Sequence, residues 1–87
     1  MRPRSRTRDF MDANTAAAML GLRHRLNFRA LPTLRPLAGA VRRLEAEEGD
    51  ERASRIYRKR AEELERLIAE LDAEQDRAAE GWIAGQV

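Results

Sequence analysis

The chain has 87 residues, with 17 basic and 15 acidic side chains, a formal net charge of +2 and no cysteine. That length holds one small domain with a marginal core, and the missing cysteine excludes disulfide staples, thiolate metal sites and cysteine nucleophiles. No apolar run approaches the ~20 residues that span a bilayer, and the N-terminus lacks the apolar core of a secretory signal, so a cytoplasmic protein without a membrane span is expected.

The near-neutral total hides a split. Residues 1–43 carry ten arginines against Asp9 and Asp12, whereas residues 44–87 carry thirteen acids against seven bases. One half is +8 and the other −6 by that count. Clustered charge of this kind bears on partner choice and association rather than on fold. The four aromatic residues are Phe10, Phe28, Tyr57 and Trp82. With so little large side-chain area to bury, oligomerisation is the expected source of further stability. Arginine outnumbers lysine sixteen to one and alanine is abundant. That bias is the mark of GC-rich coding and of a bacterial or phage source.

Residues 1–10 read as a flexible basic arm with Arg2, Arg4, Arg6 and Arg8 at alternate positions and Pro3 among them. The opening resembles the start of an organellar transit peptide, but Asp9 and Asp12 interrupt the pattern. From about residue 12 to 30, an alanine- and leucine-rich run with acids at its start and arginines at its end predicts a first helix. Its apolar residues fall on two sides. Met11, Ala18, Met19, Leu22 and Leu26 share one, and Phe10, Ala13, Ala17, Leu20 and Phe28 share roughly the other. Such a helix suits two neighbours, one of them a second chain.

Pro32 and Pro36 predict a corner, with Pro36 opening a second helix over 36–48. Gly49 and Asp50 have the order of a helix stop, with glycine in the left-handed conformation, followed by an N-cap. The third helix then runs over 51–82, about 45 Å at ~1.5 Å per residue. Its stripe is the strongest periodic signal in the chain: Tyr57, Ala61, Leu64, Ile68, Leu71, Gln75, Ala78 and Trp82 alternate spacings of four and three, as in a heptad seam. Leu67 widens it. Arg58 with Glu62, Lys59 with Glu63 and Glu62 with Arg66 are spaced to pair along the helix surface. The second helix offers Leu34, Leu37, Val41 and Leu44, which predicts an antiparallel hairpin with the third. That hairpin covers only the first half of the stripe and leaves Leu71 to Trp82 as an association surface. The expected partner-binding residues are Leu64, Leu67, Ile68, Leu71 and Trp82. A Leu71→Glu change is expected to abolish association while leaving helical content intact.

Catalytic chemistry has little to stand on. His24, the single histidine, lies between Arg23 and Arg25 with no acidic partner nearby in sequence, and the Glu-x-x-His pattern of helical metal sites is absent. No glycine-rich phosphate loop or nucleophile elbow is present. No enzyme activity, metal, cofactor or small-molecule substrate is expected.

Nucleic acid is the alternative partner. The arginine arm suits phosphate neutralisation or minor-groove entry. Within Thr15 to Arg29, Ala17, Leu20, Gly21 and Leu22 resemble the small, apolar, turn-glycine, apolar series of a helix-turn-helix. The pattern is departed from at Asn27, where an apolar side chain belongs, and Pro32 truncates the second helix. The resemblance implies that His24, Arg25 and Arg29 lie toward DNA, with the third helix as dimeriser, and Arg23 beside them is a further candidate nucleic-acid contact.

The expected fold class is therefore all-α: a basic N-terminal arm, one short helix, then an antiparallel helical hairpin ending in a long coiled-coil-like helix. The arm spans 1–10 and the single helical domain 11–87. The expected function is a non-enzymatic interaction protein, such as an adaptor, assembly factor or protein inhibitor of bacterial or phage type, forming homo-oligomers or docking on a protein partner.

Overall fold

The structure, a computed structural model, describes residues 6–86, with side chains through Trp82. It is all-α. Helix α1 spans Arg6–Gly21, α2 Leu31–Glu47 and α3 Glu51–Gln86, and two 3₁₀ turns, Arg23–Arg25 and Phe28–Ala30, join α1 to α2. Residues 1–5 of the expected arm lie outside the described residues. Arg6 to Phe10, assigned to the arm from sequence, are helical. Asp9 explains the earlier start, because a carboxylate in the first turn suits the positive end of the helix dipole.

The first helix is also shorter than expected at its far end. Beyond Gly21, Leu26 and Asn27 are extended, with ψ of 148° and φ of −129°. The Asn27 side chain accepts a hydrogen bond from the Arg29 amide at 2.9 Å. That local bond offers the backbone a turn in place of a continued helix. No second helix follows Gly21 directly, so the helix-turn-helix resemblance does not extend to the geometry of residues 15–29.

Helix α2 begins at Leu31 rather than Pro36. Pro32 occupies the first turn, where amides have no intrahelical acceptor and a missing donor costs little. Pro36 lies inside the helix and cannot donate to the carbonyl one turn back. Burial offsets that loss: Leu31, Leu34, Leu37, Ala38, Ala40, Val41 and Leu44 are all buried. The helix ends at Glu47, and Glu48 turns extended. No described glycine has positive φ, so Gly49 contributes no left-handed stop. Asp50 does cap α3: its Oδ2 accepts from the Ala53 amide at 2.9 Å.

Apolar residues around much of α2 place it between its neighbours. It packs against α1 on one side and α3 on the other, while α1 and α3 scarcely meet. The result is a slab of 55 × 29 × 18 Å. The four largest fully buried side chains, Leu34, Val41, Leu44 and Leu64, form its centre. Toward α1 the core thins to Ala13, Ala16 and Leu20. The two apolar sides predicted for the first helix reduce to this one buried face. Met19, Leu26 and Phe28 pack at its edge, and Phe10, Met11 and Leu22 are exposed. Among the described residues no helix is long and apolar enough to cross a membrane.

Candidate association surface

The antiparallel register of α2 and α3 is fixed by ion pairs along one edge of the hairpin. Arg35 bonds Asp72, and Arg42 grips Glu65 through Nε and Nη2 at 2.8 and 2.7 Å. Arg42 also reaches Glu45, whose other oxygen accepts from Arg58 Nε at 2.8 Å. Arg58 is thus turned across the hairpin to Glu45, and not along α3 to Glu62 as its spacing predicts. The Arg42 guanidinium holds the Glu65 carboxyl below its ordinary value. Arg58, then Arg42, hold Glu45 low in the same way. On the other side of α2, the Asp9 carboxylate is buried and accepts from Arg43 at 3.0 and 3.3 Å, tying α1 to α2.

Residues 13–44 contain six arginines and no acid. Three of the six are taken up by carboxylates of the three helices: Arg35 by Asp72, Arg42 by Glu45 and Glu65, and Arg43 by Asp9. The other three, Arg23, Arg25 and Arg29, stand exposed with His24 at the corner between α1 and α2. Arg23 donates to the Leu20 carbonyl at 3.0 Å. The corner thus gathers these four candidate nucleic-acid contacts, though in 3₁₀ turns rather than on a recognition helix. Arg6 and Arg8 lie apart from it in the first turn of α1, Arg6 over the Phe10 ring at 5.4 Å. Arg2 and Arg4 lie outside the described residues.

The five predicted partner-binding residues divide. Leu64, Leu67 and Leu71 are 0, 6 and 5% exposed and belong to the chain's own core. Ile68 packs at the edge of that core. These residues are not an open surface, because α2 starts at Leu31 rather than Pro36. The five added residues carry its cover along α3 as far as the Arg35–Asp72 pair and beyond. Leu71→Glu therefore acts on folding first, contrary to the expectation from sequence. Trp82 is different. Every residue from Gln75 to Trp82 is exposed, and Trp82 is 67% exposed. The stripe that supplies Ala61, Leu64 and Leu71 to the core continues here as Gln75, Ala78 and Trp82, which no described helix covers.

Two cavities flank this arrangement. At the root of the free end, one of 380 Å³ is lined by Phe28, Arg29, Leu31, Pro32, Arg35 and Gln75. Between α1 and α3, another of 230 Å³ lies among Phe10, Asn14, Ile56, Tyr57 and Arg60. Ile56, 58% exposed, falls outside the stripe and has no sequence signal beyond its own apolarity. Among the described residues, no three His, Cys, Asp or Glu side chains come together in a group that could hold a metal. Comparison with protein-family models, curated proteins and solved structures finds no match to this chain.

Proposed function

We propose that this is a non-enzymatic helical interaction protein that self-associates through the uncovered end of α3. The observation that carries the reading is the continuation of a core stripe past its cover, ending in a tryptophan 67% exposed. A large amphipathic ring near a helix end suits an interface anchor, since tryptophan is enriched where association energy concentrates. The marginal core of a chain this small is a second support, because burial between copies supplies what one copy lacks. The biological role consistent with this is adaptor, assembly factor or inhibitor.

Light-scattering mass after size exclusion tests the reading. The protein is expected to elute well above its 10.0 kDa chain mass at rising concentration, and Trp82→Ala to return it to that mass. A wild-type chain that stays at 10.0 kDa throughout overturns self-association. Absorbance at 260 and 280 nm across the same peak separates the other reading: co-eluting nucleic acid shed by salt assigns the basic corner to phosphate contacts instead.

A further inference from the structure

Inside one copy, charge pairing is incomplete in a patterned way. Among the described residues, the corner keeps Arg25 and Arg29 with no carboxylate within ion-pair distance, and α3 beyond Asp72 keeps Glu74, Asp76 and Glu80 equally without a cation. Over residues 72–82 four acids stand against Arg77 alone. The two sets are neighbours at the root of the free end, where Arg29 and Gln75 line one cavity. The helix then carries Glu80 and Trp82 away from the corner, seven residues beyond Gln75 or about 10 Å at ~1.5 Å per residue. Within a copy they cannot return.

An antiparallel neighbour solves this geometry. When two free ends lie side by side on the stripe Gln75, Ala78 and Trp82, the tip of each reaches the root of the other. Trp82 then falls opposite Gln75, and the small side chains of Ala78 and Ala79 permit close approach at the centre. We propose that the occupant of the free end of α3 is a second copy in this antiparallel arrangement, each Trp82 seating in the cavity that Phe28, Arg29, Pro32 and Gln75 line on the other. This rests on the self-association reading above and specifies its partner and contacts.

The cavity has the size and chemistry for the ring. An apolar cavity of about 150 Å³ accepts a benzene molecule, so 380 Å³ admits an indole. Phe28 and Pro32 supply apolar walls, and the Arg29 guanidinium offers a cation to the indole face. Glu80 and the other acids of the arriving helix meet Arg25 and Arg29. The pairing is isologous, the same surface serving on both copies, so it closes at two and leaves no site for further growth. Two helical ends alone bury less than the ~800 Å² per partner of a standard interface. The corner contributes the remainder, which is why its charges decide the arrangement.

The experiment uses charge reversal and the fact that Trp82 is the chain's single tryptophan. Two variants are made on exposed positions, Arg25→Glu with Arg29→Glu, and Asp76→Arg with Glu80→Arg, and circular dichroism verifies that both keep their helices. In the antiparallel pair each variant opposes like charges twice, so each alone is expected to dissociate about tenfold more readily. Mixed, they present opposite charges at both contacts and recover a heterodimer. Wild-type association is expected to weaken by about tenfold from low to high salt, because attraction between exposed charges is screened. Trp82 emission is expected to shift to the blue as the dimer forms, and Trp82→Ala to weaken dimerisation about thirtyfold, as for an interface hot spot. A dimer that salt strengthens, or that forms equally well from either variant alone, overturns the antiparallel arrangement and leaves self-association standing. A monomer at every concentration, with Trp82 emission unshifted, overturns both.

Discussion

The buried Asp9–Arg43 pair shows how unequal two partners in one contact are. Asp9 is 2% exposed, whereas the Arg43 side chain is 44% exposed. Removing the arginine takes two hydrogen bonds from a carboxylate held out of water, and removing the carboxylate leaves an arginine that water still reaches. Breaking a fully buried pair costs roughly 3–5 kcal/mol. With one partner half in solvent, Arg43→Ala is expected to cost about 2 kcal/mol. Asp9→Asn, which keeps shape and some hydrogen bonding, is expected to cost about 1 kcal/mol. Urea unfolding of the two variants checks the order. On the opposite edge, Glu65 and Glu45 are held below their ordinary value of 4.5 by arginine hydrogen bonds. A lowered folded-state value means stability that is fully present above the unfolded value and lost as pH falls through the folded one. The melting temperature is therefore expected to decline as pH drops below about 4.5, and to decline less steeply in Arg42→Gln. Thermal scans at steps of pH measure this, and equal slopes for the two proteins would refute it.

At the scale of elements, periodicity and turn chemistry carried unequal information. The stripe on α3 and the Asp50 cap depend on local spacing and on one side chain beside one amide, and both were legible. The hairpin followed from matching stripes on α2 and α3. The boundaries of α1 and α2 were not, because each is a contest between local signals. Asn27 captures the Arg29 amide and ends the helical run. The two prolines, Pro32 and Pro36, read alike in sequence, yet only Pro32 stands where no donor is needed. That shift of five residues at the start of α2 decided the candidate site, since it covers Leu71 and leaves the free surface to Gln75 and beyond. Leu71→Glu is accordingly expected to lower helical content in circular dichroism, as burying an unpaired charge in a core this small exceeds its margin. Full helicity at room temperature in that variant would place Leu71 outside the core.

For the whole molecule, the two oppositely charged halves are only partly reconciled by folding. Arg35, Arg42 and Arg43 find carboxylates within the chain, whereas among the described residues the corner arginines and the acids of the free end of α3 are left without such pairs. The split that stands out in composition is thus a record of two uses, one closing the hairpin and one facing outward. If the outward part joins copies, stability depends on protein concentration, since anything that binds the native state alone raises its apparent stability. A tenfold rise in concentration is expected to raise the melting temperature of the wild-type protein by a few degrees and to leave that of Trp82→Ala unchanged. Identical shifts for both would remove Trp82 from the interface.

The thin alanine face of α1 has a kinetic meaning as well. Ala13 and Ala16 let the helix lie close to α2 but give up little apolar area when it departs, and α1 touches α3 hardly at all. The α2–α3 hairpin, with its leucines and ion pairs, keeps most of its contacts when α1 swings off. The chain is therefore expected to open in two steps, with amides of α1 exchanging with solvent through a sub-global opening that spares α2 and α3. Such an opening bares the flank of α2 that α1 covers, so a molecule that looks like one rigid slab at rest offers a second, transient surface for as long as the Asp9–Arg43 tie is released.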